Sequence, residues 1–523
     1  MNPKKLDRNI ARFAWVVIFI ALAGVVAYVF TSHAALSSIL LAVFFPAIFG
    51  IIAYLFSPVD KKIMVHLVEE WPLAAVLLVI LCIGTATVAV QRHHTKPVIV
   101  TKNVIKLGAD LPITGTDKAD GQAVLNGINL AVEQAGKLGE YTFQTYPLSD
   151  DNTVTQLNDP DVGGANVTAL LRDPQVAGII GPYNSAVALT EIPIINGLNA
   201  GRQAIALISP STTADCLTTP TYTTETCSNL NNQGGFFRIA ALNSKSGEVF
   251  ANCLSAPTTG PGDLCYSPNF HKYKNVAVIQ DNTAYSVGFA DSFARFWQQK
   301  DSGNKAVTRM VSNKASRASF RDALTGVVHD LGGVPDLVFF AGSEDNARLL
   351  HQIMQAPAEQ NLPDLSRTPF ASGASIMNED FVSHLKSKHQ AAPVYAVAPI
   401  KNLDTPNTNE QKDSREFIDR YRAKYHVKPT PYSAAGYDAA QILIQAIKTA
   451  AGKTGVPNPT NAAAVQDFRL KIIDSIKHPL DDAVTGVTGR YSFDENGDYR
   501  DAAVSVFEWN PSNSNNQNGW DYK

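Results

Sequence analysis

The chain has 523 residues, 45% apolar and 17% charged, with 47 acidic against 44 basic side chains and a formal net charge of −3. Its mean hydropathy of −0.05 is too high for a disordered chain and too low for a membrane-embedded transporter. No bulk basicity marks a nucleic-acid partner, and 34 Gly and 29 Pro exclude collagen-like and linker-like chains.

Three uncharged apolar runs come first, at residues 13–30, 34–56 and 72–90. At ~1.5 Å per residue each reaches about 27–35 Å, enough for a hydrocarbon core of roughly 30 Å. The basic leader Lys4, Lys5, Arg8 and Arg12 would also suit a cleavable signal peptide. The first run exceeds the ~7–15 apolar residues of such a signal, however, and two more runs follow. Residues 1–96 are therefore expected to form a three-span anchor in the lipid bilayer. Lys61 and Lys62 lie between the second and third runs, whereas the Thr31-Ser32-His33 turn has no Lys or Arg. The positive-inside rule then gives a multi-pass cell-membrane protein, its N-terminus cytoplasmic and its larger part extracellular or periplasmic. Arg92 and Lys96 mildly oppose that orientation. No charged residue lies inside a run, so nothing supports an ion or proton path.

Cys82 sits in the third run; Cys216, Cys227, Cys253 and Cys265 follow it. An even number in an exported domain favours disulfides, as local pairs Cys216–Cys227 and Cys253–Cys265 closing surface loops. A four-cysteine zinc site is the rival, but its ligand pairs are usually more closely spaced.

From residue 103 the chain alternates short apolar strands with amphipathic helices. Strands are expected at 105–109, 176–180, 205–208, 276–279, 337–340 and 394–397. Between them, Val124, Leu125, Ile128 and Val132 fall on one helical face, as do Phe289, Phe293 and Phe296. The pattern predicts α/β lobes with parallel sheets flanked by helices, and the length calls for two of them. Residues 412–428 read as a solvated helix burying Phe417 and Tyr421, and residues 511–523 as a polar tail.

In open α/β sheets ligands bind beyond the carboxyl ends of the strands, and the polar loops stand there. They are Gly181-Pro182-Tyr183-Asn184-Ser185, Ser209-Pro210-Ser211-Thr212-Thr213, Gln280-Asp281-Asn282-Thr283-Ala284-Tyr285 and Ala341-Gly342-Ser343-Glu344-Asp345. Hydroxyls and backbone N–H groups at helix N-termini suit a carboxylate or phosphate, although any one such loop can simply cap its helix.

Residues 104–509 resemble the type I periplasmic solute-binding proteins, specifically the branched-chain amino acid (Leu/Ile/Val) binding family that serves ABC transporters. The resemblance rests on several segments in order: Leu107-Gly108-Ala109-Asp110-Leu111-Pro112-Ile113-Thr114-Gly115, Gly127-Ile128-Asn129-Leu130-Ala131-Val132-Glu133 and Asp150-Asp151-Asn152. It continues through Ile179-Ile180-Gly181-Pro182, Ile208-Ser209-Pro210-Ser211, Phe237-Arg238 and Tyr285-Ser286-Val287-Gly288. It closes with Val487-Thr488-Gly489-Arg490-Tyr491-Ser492-Phe493-Asp494. It implies a two-lobed periplasmic-binding-protein-like fold of type I, with lobe 1 over 103–241 and 399–489 and lobe 2 over 242–398 and 490–510. Crossovers would fall near 240–243, 398–401 and 489–493. The family's ligand contacts map onto Ser185, Ser211, Thr212 and Thr213, which would hold a carboxylate, and onto Tyr285, Ser343 and Glu344 from the other lobe.

Two departures stand out. The acid that usually takes the ammonium has no counterpart in Ala371-Ser372-Gly373-Ala374-Ser375, leaving Glu344 or Asp345 as replacements. The aromatic often found near the first loop is replaced around Asp120. The ligand class is thus an amino acid or a related carboxylate or amide.

Asp494, Asn496 and Asp498 have the spacing that begins an EF-hand loop, but the twelfth position is Ser505 and Asn496-Gly497 favours a turn. No Gly-x-Ser-x-Gly, His-Glu-x-x-His or Walker-type motif occurs. The sequence therefore predicts a tethered solute-binding protein, not an enzyme, with no metal and no cofactor, delivering a small polar solute to an ABC permease. The alternative is a ligand-sensing ectodomain of the same fold that signals through a membrane partner.

Overall fold

The computed structural model describes residues 103–196, 204–219, 230–231, 234–255, 273–387, 392–403, 411–478, 486–512 and 519–522. The anchor expected over residues 1–96 lies outside them. Among the described residues no helix is long and apolar enough to cross a membrane.

The first sheet is built from β1 (Val104–Leu111), β2 (Lys137–Leu138), β3 (Tyr141–Ser149), β4 (Val176–Ile180), β5 (Ala206–Ser209) and β6 (Phe236–Arg238). Its order is β2-β3-β1-β4-β5-β6, parallel throughout except for the β2–β3 hairpin. Helices α1 (Lys118–Gln134), α2 (Pro160–Arg172) and α3 (Ser185–Ile195) connect these strands. β4 and β5 are buried at every position and β1 at all but its first, which is why they read as near-continuous apolar runs. The one lysine in β1, Lys106, is tolerated because its ammonium meets Asp173 at 2.7 Å.

The chain then crosses to a second lobe through α4 (Asn243–Ser255), β7 (Asn275–Gln280), α5 (Ala284–Lys300), β8 (Lys305–Met310) and α6 (Arg317–Leu331). It continues with β9 (Leu337–Ala341), α7 (Glu344–Gln355), β10 (Phe370–Gly373), α8 (Glu379–Ser387) and β11 (Val394–Ala398). It returns to the first lobe for α9 (Gln411–Tyr425), α10 (Pro431–Thr454) and α11 (Ala462–Lys477), and ends with β12 (Ser505–Trp509) and β13 (Trp520–Tyr522). The second sheet has the order β13-β12-β11-β10-β9-β7-β8, with β12 and β13 antiparallel to their neighbours. α9 buries Phe417 and Tyr421 one turn apart, as their spacing predicts.

The three C-terminal helices hold the first lobe together. α10 lies so close along α1 that a Cβ at Gly127 would collide with the Ser433 carbonyl. In α11 the buried Arg469 guanidinium donates to the carbonyls of Leu171, Asp173 and Val176 at 2.7–3.0 Å, and burial lowers its pKa to about 10. α10 starts with a reciprocal cap: Ser433 N–H donates to Thr430 Oγ1 at 3.2 Å, and Thr430 N–H to Ser433 Oγ at 3.1 Å. Thr430→Ala should therefore lower stability by ~1 kcal/mol in chemical denaturation, with the slope unchanged. A change in slope would mean the cap organises more than its own helix.

Two expectations change. Residues 490–510 are not all part of the second lobe: Phe493 and Tyr499 enter the core of the first, and Phe493 stands 5.2 Å from Phe237. The third crossover thus lies between Ala502 and Ser505 rather than at 489–493, because the hairpin's aromatic side is buried against β6 and α10. Residues 511–523 are likewise more than a polar tail, since Trp520 is buried and β13 extends the second sheet. Asp494 to Asp498 does form a turn, in which Asp494 Oδ1 accepts from the N–H groups of Asn496 and Asp498.

Cys216 and Cys253 are buried and disulfide-bonded. Cys227 and Cys265, their expected partners, lie outside the described residues.

Candidate functional site: the cleft between the lobes

In the first sheet β1 has β3 on one side and β4 on the other; in the second β7 stands between β8 and β9. Connections diverge at those points and open a crevice beyond the carboxyl ends of the strands. The loops after β1 and β4 lie at the first switch point, and those after β7 and β9 at the second. α3 and α5, which start from these loops, approach each other across the cleft.

Ser185 is the first residue of α3, is buried, and accepts hydrogen bonds from Thr213 N–H at 3.2 Å and Ala214 N–H at 3.3 Å. Both lone pairs are thereby occupied and its own proton is left to donate. Placed at a helix N-terminus, it suits a carboxylate. Thr213 is buried beside it. Thr212 is also buried, and its hydroxyl has no hydrogen-bond partner among the described residues. Ser211 behaves differently from expectation: its hydroxyl donates to the Tyr183 carbonyl at 2.7 Å and so braces one loop against the other. That bond leaves it no free proton for a ligand.

On the second lobe Tyr285 opens α5, and its ring crosses the end of β10 where a Cβ at Gly373 would strike the hydroxyl. The absence of an acid in that stretch is matched by this ring filling the space. Burial pushes the Tyr285 phenol well above its ordinary range. Ser343 caps α7 with no side-chain hydrogen bond to its helix and is exposed. Glu344 is half-buried and accepts from Arg348 Nε at 2.9 Å, while Asp345 pairs with the same guanidinium. Both acids already have a cation on their own helix.

The first crossover joins the two sets. Asn243 N–H donates to the Thr213 carbonyl at 2.8 Å, and its side-chain amide donates to the Tyr285 carbonyl at 2.9 Å. One buried residue thus fixes the spacing of the Thr213 and Tyr285 loops from opposite lobes. Sequence reading placed Asn243 at a crossover and Tyr183 in a polar loop without giving either a role, noted Asp120 only as a departure, and passed over Tyr432; all four stand at the same cleft.

Two α/β lobes, three crossovers and a cleft lined by helix N-termini define a solute-binding protein rather than an enzyme. The chain belongs to the periplasmic binding protein family, whose profile matches residues 104–513. It is 25% identical over 409 residues to Leu/Ile/Val-binding protein homolog 2 of Brucella abortus, covering 77% of this chain and 90% of that one. It is 23% identical over 407 residues to the Leu/Ile/Val-binding protein BraC3 of Rhizobium johnstonii, with coverage of 77% and 91%. Among solved structures, the branched-chain amino acid transporter substrate-binding protein LivJ of Streptococcus pneumoniae, in complex with isoleucine, superposes with a TM-score of 0.56. It is 20% identical, and the match spans 80% of this chain and all of that one. A type 1 periplasmic binding protein of Bordetella pertussis gives 0.58 at 22% identity, with coverage of 80% and 99%.

Proposed function

We propose that this chain is a membrane-tethered, extracytoplasmic receptor. It captures a small polar solute, an amino acid or a related carboxylate or amide, by closing its lobes, and delivers it to an ABC-type importer. The observation that carries the reading is the Ser185 hydroxyl, locked by two accepted hydrogen bonds and left with a proton to give at the N-terminus of α3. The names of the relatives support the ligand class, and so does the isoleucine held by the Streptococcus pneumoniae protein. A fold neighbour from Rhodopseudomonas palustris was solved with benzoate, which keeps simple carboxylates in view. The tether is supported by the three apolar runs of the sequence, at 13–30, 34–56 and 72–90. The same reading pairs Cys216 with Cys227 and Cys253 with Cys265.

In a thermal-shift screen of the full chain, a ligand at ~1,000 times its dissociation constant should add about 4 kcal/mol. Silence across amino acids, carboxylates and amides would remove the reading. Ser185→Ala and Thr213→Val should each weaken the best ligand by ~1–3 kcal/mol in titration calorimetry. If both variants bind as the parent does, the carboxylate is held elsewhere.

A further inference from the structure

Three tyrosines and one carboxylate meet where the lobes approach each other. Tyr183, in the loop after β4, donates its hydroxyl to Oδ2 of Asp120 in the first turn of α1 at 2.9 Å. Tyr432, in the first turn of α10, stands edge-on to Tyr183 with ring centroids 5.3 Å apart and an interplanar angle of 69°. It packs against cores of both lobes. Its phenol is pushed above the ordinary range by burial, then by the Asp120 carboxylate, then by the Tyr285 phenol. Tyr285 therefore reaches this cluster from the second lobe.

Among the described residues no cation pairs with Asp120. Its hydrogen-bond partner among the described residues is Tyr183, and the charged group acting on it is another carboxylate, Asp117. Burial raises the Asp120 carboxyl to about 6. Asp117 is held by the Asn184 amide at 3.1 Å and likewise meets no cation among the described residues. Glu344 and Asp345, the acids of the facing lobe, are neutralised by Arg348. The cleft thus offers a compensated acid pair on one side and an uncompensated carboxylate among aromatic rings on the other. A partly buried carboxylate beside phenol rings receives an ammonium group well: the charge meets its counter-ion, and alkyl substituents meet the rings.

We propose that Asp120, with Tyr183, Tyr432 and Tyr285 around it, determines specificity by accepting an ammonium or alkylammonium group of the solute. This rests on the solute-capture reading above and narrows it: the ligand is a zwitterion or a cation, not a simple carboxylate. Tyr183 serves both ends of such a ligand. Its carbonyl holds the Ser211 hydroxyl in the loop beside Ser185 and Thr213, and its phenol orients Asp120.

The test is calorimetry on the full chain with the standard L-amino acids and glycine betaine. Each binder is then compared with its ammonium-free counterpart, 4-methylpentanoate for leucine and 3,3-dimethylbutanoate for glycine betaine. The ammonium ligand should bind about 30-fold or more tightly than its counterpart, and Asp120→Asn should remove most of that difference while leaving the counterpart within about twofold. Tyr432→Leu, which leaves the carboxylate in place, should weaken the ammonium ligand by about tenfold. Melting curves identify any variant that fails to fold; the parent's comparison of paired ligands and the Tyr432 variant then decide. Equal affinity for both members of a pair, or an Asp120→Asn variant that binds as the parent does, overturns the assignment while solute capture stands. No binding by any compound removes solute capture and this inference together.

Discussion

Arg238→Ala should lower stability by about 3–5 kcal/mol and loosen ligand capture with it. The guanidinium is fully buried at the end of β6, with Nε 2.5 Å from Asp498 Oδ1 and Nη1 donating to the Ala214 carbonyl at 2.7 Å; Nη2 donates to the Thr218 hydroxyl. Thr218 donates in turn to both oxygens of Asp498, at 2.9 and 3.1 Å. Alanine would leave the buried Asp498 carboxylate with Thr218 but without its cation, and the Ala214 carbonyl without the Arg238 donor, and such uncompensated groups account for most of the loss. Ala214 directly follows Thr213, so the same change frees the loop proposed to hold the ligand. Arg238→Lys should rescue little, because an ammonium cannot reproduce the planar fork that reaches three partners. The measurement is denaturant unfolding of the parent, both single variants and the Arg238→Ala, Asp498→Ala double variant. The double variant should recover part of the loss. A loss below about 1 kcal/mol in Arg238→Ala would show that water or a neighbour takes over the contacts.

The second large effect is a dependence on pH that weakens the fold toward alkali. Asp110, Asp150 and Glu191 are fully buried in the first lobe. Among the described residues no N–H or hydroxyl donor reaches either oxygen of Asp150, either of Glu191 or Oδ2 of Asp110, whereas Asp110 Oδ1 accepts from the Asn166 amide at 2.7 Å. Ionised carboxylates can only accept, so these groups must hold protons, with one shared between Asp110 and Glu191. Burial raises Asp110 to about 6 and drives Glu191 well above its usual range. Burial and then the repulsion of Asp110, Asp151 and Asp117 raise Asp150 to about 9.

The sign follows directly. Between the unfolded value near 3.8 and about 9, the native state keeps a proton on Asp150 that the unfolded chain releases. Each pH unit in that interval then costs ~1.4 kcal/mol per retained proton. From pH 6 to 8.5 that is ~3 kcal/mol from Asp150, with more from the Asp110–Glu191 pair. On the acid side one group opposes this: burial and the neighbouring His384 hold His351 at about 3, so below pH 6.5 its protonation in the unfolded chain offsets about one of the retained carboxyl protons. The retained carboxyl protons outnumber it, so stability is expected to rise steadily from pH 9 down to about 5. Denaturant unfolding from pH 5 to 9 tests this, and Asp150→Asn should flatten the alkaline slope. A parent whose stability is level or rising between pH 6 and 8.5 would show that these carboxyls ionise in the folded state.

The elements that could be read from the sequence are those buried on both faces. β1, β4, β5, β7, β9 and β11 stand where their apolar runs predicted, within a residue or two, because complete burial leaves no freedom in side-chain type. β3 and β8 are mostly exposed or half-exposed, and their mixed composition gave no signal. β10 is four residues long and ends in Gly373. β13 follows a polar stretch and exists because Trp520 and its backbone find β12. The polar loops after β4, β5, β7 and β9 were legible as lining the cleft, since topology places strand ends there whatever the side chains do.

Which side chains in those loops remain available was not legible. Ser185 and Ser211 read alike, yet the first accepts two N–H groups and keeps a proton to give, while the second gives its proton to Tyr183. Glu344 and Asp345 read as free acids until Arg348 appears beside them. Asp120 and Tyr183 are 63 positions apart and become partners only through the packing of α1 against the β4 loop. Alternation and burial are properties of a local stretch, so the sequence by itself determined the two-lobed α/β architecture and its family. Protonation, pairing and spare hydrogen-bonding capacity depend on groups brought together from distant segments, and only the tertiary structure decided those.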